Sequence, residues 1–355
     1  ETALICALTM EFADGEKRII TSGSDWKCEF GKNVYTNFYN GYVYNPAFVD
    51  VLPEKAVIFP HNNKILLDRQ GERVVENERL EAKEIIITPK GETVIDFGQN
   101  MTGYVEFRIK GNKGERAVIS HAEVLDAEGN FYRDNLRSAK AQAVFICDGK
   151  EHIHKSEYNF FGFRYIRLEN WSDEVKAENF TAIVVHSDMK RTGHFECSDE
   201  RVNKLFSNII WGQKGNFLDI PTDCPQRDER LGWTGDAQVF CLSAMYNADC
   251  RAFFKKYLQD VRDAQADNGM IDSVAPTVWR DFDKVELHLI GKGNSLCDWK
   301  NQIWLNIIAY NTNSRCCNLI INAVRVLLYR TTTAILISLC SIILRTGSKW
   351  FETSH

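Results

Sequence analysis

Acidic side chains crowd one short stretch of this sequence, residues 219–236. Two guanidinium groups, Arg227 and Arg230, accompany them, and the carboxyl groups are those of Asp219, Asp223, Asp228, Glu229 and Asp236. Like charges that share a loop raise some carboxyl pKa values, whereas a neighbouring guanidinium lowers others. Glycosidic bond cleavage needs this separation, because one carboxyl must keep a proton for the leaving oxygen while another stays ionised. The stretch is therefore a candidate acid site, and Trp233, between two glycines, is a candidate platform for a sugar ring.

Three other interpretations of the same residues stay open. Composition alone favours a solvated acidic loop held by salt bridges. Carboxylate oxygens also suit Ca²⁺ or Mg²⁺, although the run does not have the spacing of an EF-hand loop. Cys224 would need a nearby base to act as a nucleophile, and no histidine follows it closely. We predict no bound metal and no cofactor.

The elements that must position these residues change character along the chain. Apolar and polar residues alternate over 105–110 and 166–169, and short apolar runs recur at 143–147 and 182–185. This pattern predicts β-sandwich modules up to about residue 185, with a break at 61–63.

Beyond residue 195 the apolar period becomes that of helices. The first helix is expected behind the N-cap candidate Ser198, a second and more fully buried one over 239–246, and a third around 254–261. The apolar faces of the first and third consist of Val202, Leu205, Phe206, Ile209 and Ile210, and of Phe254, Tyr257, Leu258 and Val261. The acidic stretch then spans a loop between helices and the start of the next helix.

Composition narrows the choice of partners. A net charge of −5, a pI near 6.0 and the lack of a basic block argue against a nucleic-acid surface. Eleven cysteines without CxxC spacing predict mostly free thiols in a reducing compartment, so a cytoplasmic location is expected. The uncharged run at 331–344 is shorter than the roughly 18 residues of a bilayer span, so no membrane association is expected.

The run DCPQRDERLGWTGDAQ at 223–238 resembles the bacterial α-L-rhamnosidases of glycoside hydrolase family 78. The preceding GHFECSDERVNKLFSNIIWGQKGNFLDIPT is similar to the beginning of that family's (α/α)6 barrel. Upstream, DFGQNMTGYVEF (96–107), HAEVLDAEGNFYRDNLR (121–137) and FFGFRYIRLEN (160–170) resemble its concanavalin-like sandwich, and the segment around GSDWK (23–27) resembles its small N-terminal β domain.

The resemblance implies a fold and its division into domains. Two β-sandwich domains, 1–72 and 73–190, would precede the first helices of an (α/α)6 catalytic barrel over 191–355, truncated or aberrant after about 285. The implied activity is removal of terminal α-L-rhamnose from rhamnosides with inversion. The implied partners are rhamnose-containing glycosides or oligosaccharides.

The resemblance also implies roles for individual residues. Glu229 would be the general acid, Asp223, Arg227 and Asp236 would hold sugar hydroxyls, Trp233 would form part of the pocket wall, and Asp228 would lie beside the acid. The general base of the family is a glutamate much further along the barrel. The segment expected after Val274-Ala275-Pro276 is missing here, and Glu352 is the only carboxylate after Asp298. We therefore expect this chain to lack the base and to turn over poorly. A non-catalytic carbohydrate-binding protein and a different (α/α)6 glycosidase are the alternatives.

Overall fold

The central sheet of the protein joins strands that lie far apart in the sequence. The computed structural model describes residues 4–60, 66–265, 269 and 271–277. The break predicted at 61–63 and every expectation for the chain beyond 277 lie outside these residues.

The strands of the β part, in chain order, are β1 (Ala7–Glu11), β2 (Lys17–Thr21), β3 (Lys27–Cys28), β4 (Asn33–Asn37), β5 (Gly41–Tyr44), β6 (Glu54–Lys55), β7 (Val74–Glu81), β8 (Glu84–Ile87), β9 (Thr93–Ile109), β10 (Arg116–Ala122), β11 (Gln142–Ile146), β12 (His152–His154), β13 (Phe161–Glu169) and β14 (Phe180–Ser187).

A ten-stranded sheet runs in the order β4-β5-β11-β10-β13-β9-β14-β7, and β8 and β12 also pair with β9. The long strand β9 pairs with β8 and β13 near its start and with β14 and β12 near its end. One sheet thereby supplies both faces of a β-sandwich. The strands predicted from alternation are confirmed, since Val105, Phe107 and Ile109 are at most 4 % exposed and Ile166 is fully buried.

The sheet crosses the domain boundary predicted at residue 72. β5 pairs in parallel with β11, with Gly41 opposite Gln142, so residues 33–44 belong to the large sheet. Gly41 has a φ of +99°, and a Cβ there would lie 1.9 Å from the carbonyl oxygen of Gln142, so only glycine fits this contact. The other N-terminal strands form two separate pairs, β1 with β2 and β3 with β6. The boundary itself stays a prediction.

Helices follow the β part, as the sequence predicted. They are α1 (Glu200–Asn216), α2 (Thr234–Asn247) and α3 (Arg251–Asp263), with the short strands β15 (Phe217–Leu218) and β16 (Ile220–Pro221) between α1 and α2. β sandwiches followed by the start of a helical barrel thus describe the chain. The predicted N-cap Ser198 is wrong by one residue, because the side chain of Asp199 accepts the hydrogen bond from the Arg201 amide at 2.9 Å.

The apolar faces of the helices are only partly covered by the described residues. α3 packs as predicted, with Phe254, Tyr257 and Val261 buried. In α1, however, Val202 and Leu205 are 39 % and 58 % exposed. The prediction of a more fully buried α2 is wrong for this part of the chain, because its buried residues are small or polar and Val239 is 82 % exposed.

Among the described residues, no helix is both long and apolar enough to span a bilayer. Their cysteines carry free thiols, at positions Cys6, Cys28, Cys147, Cys197, Cys224, Cys241 and Cys250.

The corrected cap position gives a testable difference between adjacent residues. Asp199→Ala should lower the free energy of unfolding of the helical part by about 1 kcal/mol, because an amide of the first turn loses its acceptor. Ser198→Ala is the matched control and should change it by less than about 0.5 kcal/mol. Chemical unfolding followed by far-UV circular dichroism measures both, and a larger loss for Ser198→Ala would restore the original cap assignment.

Candidate active site

A buried arginine attaches the acidic stretch to the β-sandwich. Arg230 is 2 % exposed and has a φ of +52°. Its Nη1 donates to the carbonyl oxygens of Phe38, at 2.5 Å, and Phe160, at 3.0 Å. Its Nε and Nη2 donate at 3.3 Å to carbonyl oxygens of its own loop, those of Arg227 and Gln226. One side chain therefore fixes the loop to two turns of the sandwich.

Aromatic rings surround the same guanidinium. Its central carbon lies 5.2 Å from the ring centre of Phe38, 5.7 Å from that of Tyr39 and 5.3 Å from that of Phe160, distances typical of cation–π contacts. Burial lowers the pKa of Arg230 to about 10, so the group remains charged at neutral pH.

The loop also touches the sheet through a glycine. A Cβ on Gly162 of β13 would lie 2.8 Å from Cβ and 3.0 Å from the amide nitrogen of Gln226. Any larger residue at 162 would push the acidic stretch away from the sheet.

Glu229 lies half-buried in the loop with cations at its carboxyl oxygens. Arg227 approaches Oε1 with Nε and Oε2 with Nη2, both at 3.2 Å, and Nη1 of Arg137 also contacts Oε1. The hydroxyl of Tyr39 donates to the main-chain carbonyl of Glu229 at 3.0 Å. Desolvation raises the pKa of this carboxyl, but hydrogen bonds from Arg227, Cys224 and Arg137 outweigh it and hold the pKa below its ordinary value. Glu229 is an ionised carboxylate in this geometry.

Asp228 faces the β-sandwich. Ser138 donates to its Oδ2 with the hydroxyl, at 2.5 Å, and with the amide, at 3.3 Å. The hydroxyl bond is the largest cause of the lowered pKa of Asp228. Its other oxygen, Oδ1, is buried, makes no hydrogen bond within the described part of the chain and lies 3.7 Å from Nη1 of Arg137.

Asp236 has the opposite electrostatic setting. It lies in the first turn of α2, where an acidic residue suits the helix dipole. Desolvation raises the pKa of its carboxyl, and the nearby carboxylates of Asp223 and Glu229 raise it further. The structure thus pushes the pKa values of Glu229 and Asp236 apart, as the sequence predicted for some pair in this stretch.

The remaining predicted residues flank this pair. Asp223 has a φ of +56° and accepts a hydrogen bond from the thiol of Cys224 at 3.0 Å. Trp233 is the N-cap residue of α2, and its buried indole nitrogen has no hydrogen-bond partner among the described residues. A buried donor without a partner is costly, so a ligand oxygen would be favoured beside it.

The contacts of Asp219 support the interpretation of the acidic stretch as a loop held by salt bridges. Its carboxylate pairs with Arg69 and with Lys256, each at 2.9 Å. Both partners lie outside the acidic stretch, so Asp219 holds the loop to the chain around it.

A group of three possible metal ligands lies at the site, formed by Asp223, Cys224 and Glu229 with ligand atoms within 4.8 Å of one another. A thiol binds a metal as the thiolate. Burial and the two neighbouring carboxylates raise the pKa of Cys224 well above its ordinary range. The thiol is therefore protonated in this geometry and donates to Asp223, which does not favour a nucleophile, and the absence of a bound metal stays a prediction.

A polar cavity of about 320 Å³ opens beside Asp223, between β9 and α1. Trp211, Gln226 and Glu123 are among its lining residues. Burial raises the pKa of Glu123, which accepts hydrogen bonds from Asn100 at 3.0 Å and Asn135 at 3.2 Å.

Sequence reasoning missed the residues that the sandwich contributes. Arg137 ends the run 121–137 that carried part of the family resemblance, but nothing in its spacing connects it to Glu229, far along the chain. Tyr39 and Ser138 gave no signal either. Only the folded contacts reveal them.

Comparison with known protein families gives a separate match for the β part and for the helical part of the chain. Residues 86–186 match the concanavalin-like domain of bacterial α-L-rhamnosidases, and residues 190–312 match their six-hairpin glycosidase domain. The second match continues past residue 285, after which the sequence alone predicted a truncated or aberrant barrel.

The individual relatives that match this chain are also α-L-rhamnosidases. An α-L-rhamnosidase of Streptomyces avermitilis is 37 % identical over 289 residues, which are 78 % of this chain and 28 % of the relative. One from Formosa agariphila is 37 % identical over 290 residues, 78 % of this chain and 31 % of the relative. The chain thus spans less than a third of the length of these relatives.

Solved structures show the same partial coverage. The S. avermitilis α-L-rhamnosidase complexed with L-rhamnose superimposes with a TM-score of 0.72 at 36 % identity, over 78 % of this chain and 28 % of that one. The α-L-rhamnosidase of Dictyoglumus thermophilum gives 0.75 at 31 % identity, over 86 % and 34 %.

A concanavalin-like sandwich joined to the beginning of a six-hairpin glycosidase domain places the chain in the glycoside hydrolase class. Within that class, the chain belongs to the bacterial α-L-rhamnosidase family and corresponds to the N-terminal part of its members.

The buried Arg230 yields a prediction about stability. Arg230→Ala leaves two main-chain carbonyls of the sandwich without their donor, at about 1–3 kcal/mol each, so the free energy of unfolding should fall by more than about 2 kcal/mol. Arg227→Ala is the control from the same loop and should cost about 1 kcal/mol or less, because its ion pair is partly exposed. Urea unfolding followed by tryptophan fluorescence measures both, and equal losses would contradict an anchoring role for Arg230.

Proposed function

We propose that this chain is part of an enzyme that removes terminal α-L-rhamnosyl groups from glycosides. The observation that carries the proposal is the convergence of Glu229, Asp236, Asp223 and Arg227 at the start of α2, in the motif that resembles the rhamnosidases. One relative is described as complexed with L-rhamnose, which supports rhamnose as the recognised sugar.

In the proposed reaction Glu229 donates a proton to the glycosidic oxygen as the bond to the sugar breaks. Asp223, Arg227 and Asp236 hold sugar hydroxyls, Trp233 forms part of the wall, and Asp228 stays beside the acid. Inversion also needs a carboxylate that activates water on the opposite ring face, about 6.5–9.5 Å from the acid. The part of the chain after residue 277 lies outside the described residues, so the missing base and the low turnover expected of this chain stay predictions.

The directions of the pKa shifts of Glu229 and Asp236 disagree with this assignment. A general acid must be protonated when the substrate is bound. The pKa of Glu229 is lowered, whereas that of Asp236 is raised. On pKa alone Asp236 would be the acid, while the family motif selects Glu229. Leaving-group dependence separates the two.

The acid is tested with Glu229→Gln in a protein that carries the complete helical domain. We expect a loss of about 10²–10⁴-fold in kcat/KM on a natural rhamnoside, which has a poor leaving group. The loss should nearly vanish on 2,4-dinitrophenyl α-L-rhamnoside, whose leaving group needs no proton.

Asp236→Asn is the matched variant for the same assay. A hydroxyl-binding carboxylate should lose activity on both substrates alike, because binding of the sugar is weakened in each. Should the leaving-group dependence appear in Asp236→Asn and not in Glu229→Gln, the acid would be Asp236.

Sugar binding is tested with Asp223→Ala. Loss of a hydrogen-bond partner in a desolvated pocket costs about 1–3 kcal/mol, so the Kd for L-rhamnose should rise roughly tenfold or more. Asp219→Ala is the control, since Asp219 pairs with Arg69 and Lys256 instead. Calorimetric titration gives both values, and it also detects a protein that binds the sugar without cleaving rhamnosides. Unchanged binding in Asp223→Ala would return this residue to the salt-bridge interpretation.

A further inference from the structure

A residue of the β-sandwich reaches into the candidate active site. Arg137 follows a 3₁₀ turn, Asp134–Leu136, and has a φ of +56°. Such a backbone conformation is costly for a non-glycine residue and persists where the surroundings impose it. Leu136 and Ala139, on either side, are 1 % and 4 % exposed, so the core of the sandwich fixes the turn. The side chain of Arg137 itself is 53 % exposed.

The contacts of Glu229 favour its ionised form. Oε1 faces both Arg137 and Arg227, and Oε2 faces Arg227. The thiol of Cys224 lies beside the same carboxyl. A carboxyl that protonates a leaving oxygen must itself carry the proton, and neighbouring guanidinium groups disfavour that form. Withdrawal of one cation would therefore favour the protonated Glu229 that the role of acid needs.

Arg137 is the cation that has another place to go. Its Nη1 lies 3.7 Å from the buried Oδ1 of Asp228, which makes no hydrogen bond. A small rotation of an exposed guanidinium would satisfy that oxygen. Arg227 is less exposed, at 31 %, and pairs with both oxygens of Glu229, so it is held more firmly.

We propose that Arg137 is a positioning residue that pairs with Glu229 and moves to Oδ1 of Asp228 when a rhamnoside binds. This inference rests on the proposed role of Glu229. As the guanidinium withdraws, Glu229 takes a proton from water, and it then gives that proton to the glycosidic oxygen as the bond to the sugar breaks. Asp228 thereby gains a specific task, which is to receive Arg137.

Other charged or titratable groups face Glu229 and remain in place during this movement. They are Arg227, Cys224, Asp223 and Asp228 of the loop and Asp236 of α2. The acidic members favour a protonated Glu229 once Arg137 has gone, because like charges disfavour a further carboxylate.

The pairing is tested on the 355-residue chain without turnover. Carbon-13 NMR of labelled glutamate carboxyl groups follows the titration of Glu229, whose signal is the one absent from Glu229→Gln. In Arg137→Ala the midpoint should rise by about one pH unit, and Arg137→Lys should restore most of the difference. Arg108→Ala is the control, because Arg108 is 51 % exposed and pairs with Glu151 on the sandwich. An unchanged midpoint in Arg137→Ala would refute the pairing.

The movement is tested by repeating the titration with saturating methyl α-L-rhamnoside. The sugar should raise the midpoint of Glu229 in the unsubstituted chain, but much less in Arg137→Ala, where no cation remains to be displaced. In Asp228→Asn the rise should also shrink, because the second position of Arg137 loses its charge. An equal rise in all three proteins, or none in the unsubstituted chain, would overturn the movement. The pairing is measured without sugar, so a failure of the rhamnosidase proposal would leave that result interpretable.

Discussion

The candidate site depends on the burial of one charge, the guanidinium of Arg230. A charged group that leaves water must find hydrogen-bond partners, since its desolvation is otherwise prohibitive. The partners here are main-chain carbonyls of Phe38 and Phe160 in the sandwich and of the loop itself, with aromatic rings around them. Because those carbonyls are fixed by the sheet, the loop can satisfy Arg230 in only one position. Glu229, the adjacent residue, is thereby held against the sandwich.

Placement against the sandwich determines the electrostatics of the site. Arg137 and Ser138, which follow the 3₁₀ turn, meet the loop where Asp228 and Glu229 lie, and they supply a cation and a hydroxyl to these two adjacent carboxylates. Asp236, on α2, is further from these donors and close to other carboxylates. Nearly identical side chains therefore acquire pKa values shifted in opposite directions. Acid–base chemistry in a glycosidase requires such a difference.

The three helices differ in how far their apolar faces are covered by the described residues. α3 is well packed, but α1 and α2 leave Val202, Leu205 and Val239 exposed among the described residues. Apolar side chains at helical spacing are normally covered by neighbouring helices. The match of this chain to the six-hairpin glycosidase domain continues to residue 312, past the last described helix, so α1 and α2 are the first helices of the matched region.

Local patterns in the sequence determined the elements and the motif. Alternation at 105–110 and the helical period at 254–261 follow from which faces can be buried, and this requirement acts between near neighbours in the chain. The run 223–238 also contained the general acid and the sugar-binding residues that the family resemblance implies, but not the general base. Tertiary structure alone decided what depends on distant contacts: the parallel pairing that brings residues 33–44 into the large sheet, the uncovered face of α2, and the contact of Arg137 with Glu229. The direction of the pKa shift of Glu229 belongs to the same group, because it is a sum over charges that folding brings together from separate parts of the chain.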